Sequence, residues 1–185
     1  MKNRNIQFKP TAGLLIPLFL ACFAAVFISA PTPAAARDMV PFNGTVSGFV
    51  DSQSGTECEP SIHVVNFGHA NQLGAFTGTA DFVTHPCDPD PDLCENNIPY
   101  TGTFDWFAAN GDEISGTFEG YLSPTETPGV YDNHETADVT GGTGRFASAT
   151  GHFEELGGQV DFTTIPASFV LPWQGYISSV GSTRR

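Results

Sequence analysis

Beyond residue 37, hydrophobic and polar residues alternate with a period of two, and no stretch sustains the 3.6-residue period of an amphipathic helix. A period of two marks a strand, whose successive side chains point to opposite faces. From Tyr100, one face carries Tyr100, Gly102, Phe104 and Trp106, and the other carries Thr101, Thr103, Asp105 and Phe107. From Phe76, the set Phe76, Gly78, Ala80 and Phe82 opposes Thr77, Thr79, Asp81 and Val83. From Ile114, the set Ile114, Gly116, Phe118 and Gly120 opposes Ser115, Thr117, Glu119 and Tyr121.

The pattern predicts strands near 41–50, 61–67, 73–85, 98–108, 112–122, 130–140, 145–156 with a continuation through 159–165, and 168–180. Asn110-Gly111 lies between two alternating runs and predicts a two-residue type I′ hairpin. Pro172, inside the last strand, predicts an edge or a bulge.

The apolar face repeatedly sets glycine beside large rings. A sheet rolled into a small barrel crowds its concave side, so missing side chains must alternate with bulky ones. The expected architecture is therefore all-β, an antiparallel closed barrel with Thr, Asp and Glu on its outside.

Gly141-Gly142-Thr143-Gly144 lacks the lysine and Ser/Thr of a phosphate-binding loop, and its spacing fails the dinucleotide fingerprint. With strand patterns on both sides, it reads as a reversal of the chain. The surrounding "DVTGGTGRFASATGHFEE" resembles the Gly-Gly-Thr/Ser-Gly-x-Phe signature of the allene oxide cyclase and dirigent barrels. "NGDEISGTFEGYL" sits where those families place another strand, and "SFVLPWQGYIS" is similar to their closing strand, so the likeness covers about residues 98–180.

The resemblance implies an eight-stranded, calycin-like antiparallel barrel that assembles into dimers or trimers. It also implies an apolar cavity that handles a hydrophobic substrate without a cofactor. Two departures separate this chain from the named reactions. Thr150 precedes Gly151 where many dirigent proteins carry arginine, and "PFNGTVSGFV" lacks the first-strand glutamate of the plant cyclases.

Lys2, Arg4 and Lys9 precede an apolar run from Leu14 to Ala30, and Ala34-Ala35-Ala36 follow it, so residues 1–36 read as a helical signal peptide and 37–185 as the barrel domain. An uncleaved anchor and a lipoprotein at Cys22 are the competing readings. Past residue 36 stand 20 acidic residues against four arginines and no lysine, a net charge of −16. Such a field disfavours nucleic acid and anionic membrane surfaces, and it suits a secreted or periplasmic chain. Three cysteines follow the signal. Cys87 and Cys94 bracket a proline-rich loop and form the most economical disulfide, with Cys58 the alternative partner.

If rings and glycines face inward, the register turns Tyr131, Asn133 and Glu135 inward along 131–139 and Phe153 and Glu155 inward along 151–155. Gln174 and Tyr176 are expected inward on the last strand. A carboxylate inside an apolar barrel is costly to ionise, which makes Glu135 and Glu155 the candidates for acid/base work. Tyr100, Phe104, Trp106, Phe118, Tyr131, Asn133, Phe153, Gln174 and Tyr176 are the candidate ligand contacts. A bulge near the glycine turn would bring in Glu154 instead, and a solvated glutamate at the barrel mouth is the bland alternative.

No metal or cofactor is expected. Asp88, Asp90 and Asp92 lack the glycine and distal glutamate of a calcium loop, and the five histidines show no zinc-site spacing. His134 and His152 are expected on the outer faces of adjacent strands. Asn43-Gly44-Thr45 is a glycosylation sequon if the source is eukaryotic. No Gly-x-Ser-x-Gly elbow points to a hydrolase. The leading expectation is a secreted barrel that binds an apolar small molecule, with activity as a cofactor-free isomerase, cyclase or stereo-directing protein left open. The competing one is a non-catalytic acidic envelope or interaction protein.

Overall fold

The computed structural model describes residues 38–85 and 97–178. The expected signal segment and the Cys87–Cys94 pairing lie outside these residues. Cys58, at the turn after the second strand, is disulfide-bonded. No helix among the described residues is long and apolar enough to cross a membrane.

Among the described residues ten strand segments form the fold: β1 Met39–Pro41, β2 Gly44–Gly55, β3 Pro60–Ala70, β4 Gly74–Thr84, β5 Ile98–Ala108, β6 Glu113–Pro124, β7 Val130–Gly142, β8 Gly151–Glu155, β9 Gly158–Asp161 and β10 Ser168–Ser178. Neighbours from β2 to β7 pair antiparallel in chain order, and β10 closes the sheet by pairing with β2 on one side and with β8 and β9 on the other. Because β8 and β9 share one position between β7 and β10, the result is a closed eight-stranded antiparallel barrel, with β1 added along β10.

Pro172 explains the interruption between β8 and β9. Trp173 still pairs with Glu155 and Val170 with Gln159, leaving Leu156-Gly157 as an irregular step opposite the proline. Proline has no N–H to give to a ladder, and the neighbouring strand breaks beside it while Pro172 O still accepts from Leu156 N at 2.8 Å.

The hairpin at Asn110-Gly111 differs from the two-residue type I′ turn. Gly111 has φ +85°, whereas no non-glycine residue among those described has positive φ, so Asn110 cannot fill its half of that turn. The loop spans three residues instead. Ala108 N donates to Asp112 O and Gly111 N to Ala108 O, both at 2.9 Å, as in a type I turn closed by a left-handed glycine. The β5–β6 pairing it was expected to join is present over ten residue pairs.

The strand expected from 145 begins only at Gly151. Residues 144–146 form a 3₁₀ turn instead, and this turn drives Phe146 into the end of the barrel, where its side chain is fully buried with Phe42, Ile114 and Ile177. Arg145 spans the outside of this plug. Its guanidinium lies 4.8 Å from the Phe146 ring centre and 3.3 Å from Asp112 Oδ2. The glycine-rich stretch is thus a reversal, and also the stopper for one end.

Inside, rings fill the plugged half. Trp106 stacks on Phe76 at 4.7 Å and lies 4.5 Å from Phe104, 5.2 Å from Trp173 and 5.9 Å from Phe153. The inward glycines of β2 to β6 make this packing possible, since Gly44, Gly48, Gly68, Gly78, Gly102, Gly116 and Gly120 are each roofed by a ring from an adjacent strand. A Cβ on Gly116 would stand 2.5 Å from Phe104, and one on Gly44 would stand 2.5 Å from Trp173. No real Cβ tolerates such approach, so glycine is required there for ring packing as much as for curvature.

Candidate functional site

The half of the barrel away from the Phe146 plug retains a cavity of ≈ 80 Å³. Its walls are mostly aliphatic and aromatic, from Val64 on β3 through Phe82, Phe104 and Phe118 to Phe169 on β10. Polar side chains enter this lining at few points: Asn66, Tyr100, Asn133 and Glu135.

Three of these four converge. Tyr100, Gly120 and Glu135 occupy one register row across β5, β6 and β7. Because Gly120 has no side chain, the Tyr100 ring crosses β6 and sets its Oη 3.0 Å from Glu135 Oε2 and 2.7 Å from Asn133 Oδ1. The Asn133 amide Nδ2 donates to Glu155 Oε2, on the adjoining β8. A continuous chain of polar contacts therefore runs from Glu135 through Tyr100 and Asn133 to Glu155.

The electrostatics divide the labour. Burial pushes the Glu135 carboxyl up to about 8, more than its hydrogen bond to Tyr100 brings it down, and the charge of Glu155 adds to the rise. Burial likewise raises Glu155 to about 7, partly offset by Asn133. Burial, followed by the proximity of Glu135, lifts the Tyr100 phenol well above its ordinary value.

Proton counting then orients the chain. Tyr100 has one hydroxyl hydrogen and two acceptor neighbours, while Asn133 Oδ1 can only accept. A protonated Glu135 resolves the conflict: it donates to Tyr100 Oη, Tyr100 donates to Asn133, and Asn133 donates to Glu155. At neutral pH the arrangement holds an acid at Glu135, while Glu155, raised to about 7, stands at the midpoint of its own titration. Glu155 Oε1 is buried without a well-formed hydrogen bond, a deficit that the Gly158 backbone amide only partly relieves.

Glu135 and Tyr100 border the interior cavity and also a groove on the outer wall, where Glu155 joins them. The wall is thin here for a local reason. The β7–β8 pairing ends at Thr136↔Glu154 and the β7–β9 pairing begins at Asn133↔Gly158, so the sheet is irregular between them.

Of the residues expected to face inward, Phe104, Trp106, Phe118 and Phe153 line the cavity with Tyr100 and Asn133. Glu154 remains on the exposed face. Tyr131 sits half-buried beside the cavity, edge-on to Phe162 at 5.5 Å.

Gln174 and Tyr176 were expected inward and are exposed, Tyr176 at 59%. On β10 the inward set is Leu171, Trp173, Gly175 and Ile177. This is the face on which glycine accompanies the largest ring, the same rule that holds on β5 and β6. His134 and His152 are both outside but do not face each other: His152 pairs with Asp138 at 2.8 Å, and His134 stacks on Tyr121 at 4.5 Å. Sequence reading did not single out Asn66 or the role of Gly120. Asn66 follows Ile62 and Val64 at the strand period, and that alternation was the available signal.

The fold and the site together define a closed antiparallel β-barrel with a small apolar interior and a polar chain at its wall. No protein-family profile matches this chain, and no curated protein matches it significantly.

Proposed function

We propose that this barrel binds a small apolar molecule in its cavity and carries out acid/base isomerisation or cyclisation on it without a cofactor. The observation that carries the reading is the Glu135–Tyr100–Asn133–Glu155 chain set against an otherwise apolar lining. Binding pockets of this composition use a few fixed polar groups to orient an apolar body. Glu135, its carboxyl raised to about 8, is the group that delivers a proton to a ligand oxygen at neutral pH. Glu155, raised only to about 7, borders the outer groove and not the cavity, so it anchors the outer end of the hydrogen-bonded chain. Tyr100 and Asn133 fix Glu135 within that chain, and the proton that Glu135 gives is returned to it when the ligand releases one, which balances an isomerisation.

The resemblance of residues 98–180 to the allene oxide cyclase and dirigent barrels accords with this chemistry, since both handle hydrophobic substrates in a barrel interior. The cavity volume of ≈ 80 Å³ is small beside the roughly 300–1,000 Å³ of ordinary ligand pockets, which points to a compact ligand. Native mass spectrometry of protein from its own source, after a lipophilic-compound screen, tests the reading. A bound apolar compound whose turnover falls in Glu135→Gln supports it; a barrel that takes up no compound sinks it.

A second reading rests on the outside of the molecule. Glu119, Asp132, Asp138 and Glu154 are all exposed on β6, β7 and β8, forming an acidic flank suited to a cationic partner. Association captured by pull-down that weakens steeply with salt, and is indifferent to Glu135→Gln, favours that role.

A further inference from the structure

We infer that the cavity holds a second polar anchor, made by Asn66 and Trp106, and that it selects a ligand bearing a hydroxyl group. The inference rests on the cavity-binding reading above and specifies the chemistry of its ligand. Gly48, Asn66, Gly78 and Trp106 occupy one register row across β2, β3, β4 and β5. Asn66 is therefore flanked on both neighbouring strands by glycine, which offers no side chain to its Oδ1.

Both polar groups of the row lack a partner. Asn66 is 4% exposed and its Oδ1 is buried without a hydrogen bond among the described residues; Trp106 is also 4% exposed, and its Nε1–H is in the same condition. Both residues line the cavity. A buried polar group with no partner is disfavoured, and an inward position on a strand of Ile62 and Val64 would ordinarily hold another apolar residue. An acceptor and a donor left open in one row are complementary to a hydroxyl. Its hydrogen goes to Asn66 Oδ1, and its oxygen accepts from Trp106 Nε1–H. Tyr100 and Glu135 already hydrogen-bond each other whereas this pair is open, so the hydroxyl that anchors the ligand is directed here.

The test compares cyclohexanol with methylcyclohexane, two compact probes of similar shape that differ in the hydroxyl. Binding to the full chain is read by tryptophan fluorescence and by the indole N–H resonance of Trp106, assigned with Trp106→Phe. We expect cyclohexanol to bind roughly tenfold more tightly, as two hydrogen bonds to otherwise unsatisfied groups require, and to shift the Trp106 resonance, which methylcyclohexane leaves in place. In Asn66→Leu, close to the original in volume, the two probes should bind alike, and the unliganded variant should melt at a higher temperature. Equal binding of both probes by the wild-type chain overturns the anchor while leaving the cavity reading intact. A hydroxyl preference that survives Asn66→Leu also overturns it, since the hydroxyl would then sit elsewhere. Failure of both probes to bind overturns the cavity reading itself.

Discussion

The Tyr100 hydroxyl reaches Glu135 across a strand that separates their own, and it does so over the bare α-carbon of Gly120. A Cβ at Gly120 would stand 2.7 Å from Tyr100 Oη and 2.9 Å from Cζ. The tyrosine ring is held by Phe82 at 5.5 Å and Phe118 at 6.0 Å, so it cannot swing away freely. Gly120→Val should therefore cost on the order of 1–3 kcal/mol of stability through overpacking. It should also separate Tyr100 from Glu135. Urea denaturation measures the first effect, and loss of any Glu135-dependent titration measures the second.

Stability should depend on pH with a definite sign. Glu135 titrates near 8 and Glu155 near 7 in the folded chain, both above the 4.5 of a free glutamate. Between those values the folded state binds more protons than the unfolded one, so stability falls as pH rises. The contribution is complete below the unfolded value and is lost once pH has passed through the folded ones. Glu135→Gln should flatten the slope of denaturation midpoint against pH between about 5 and 8, with its largest stabilising effect at the alkaline end. A slope unchanged in that variant would assign the effect to other groups.

Phe146 is the stopper of the plugged end and is fully buried, although it lies in a connection and not in a strand. Phe146→Ala should cost about 3–5 kcal/mol, the usual range for emptying a buried phenylalanine site. Thermal and urea unfolding check it. Arg145→Ala, which removes a half-exposed contact with Asp112, should cost about 1 kcal/mol or less.

The last strand offers a paired comparison. Tyr176 is 59% exposed, whereas Trp173 is 3% exposed and packs on Trp106 and Phe153. Tyr176→Ala should change stability by roughly 0.5 kcal/mol or less. Trp173→Ala should cost about 3–5 kcal/mol. Equal losses in the two variants would reverse the faces assigned to β10.

The alternation of rings and glycines was enough to establish the all-β class, the order of the main strands and the inward face of β4, β5 and β6, because a strand has only two faces and only one accepts that mixture. It also put Glu135, Asn133 and Glu155 at period two from Ala137, Val139 and Phe153, leaving Glu154 as the alternative if a bulge shifted the register; the folded sheet keeps Glu154 exposed. What local pattern could not decide was anything set by a partner strand. The type of the β5–β6 turn depended on backbone angles at Asn110, the start of β8 on how Phe146 seats in the barrel end, and the face of Tyr176 on which of two aromatic residues the interior had room for. The meeting of Tyr100 with Glu135 depended on the register that puts Gly120 between them, and a contact spanning 35 residues is fixed only when the sheet closes. Side-chain alternation belongs to the chain itself, whereas register, closure and the desolvation that raises the two carboxyls exist only once the strands have come together.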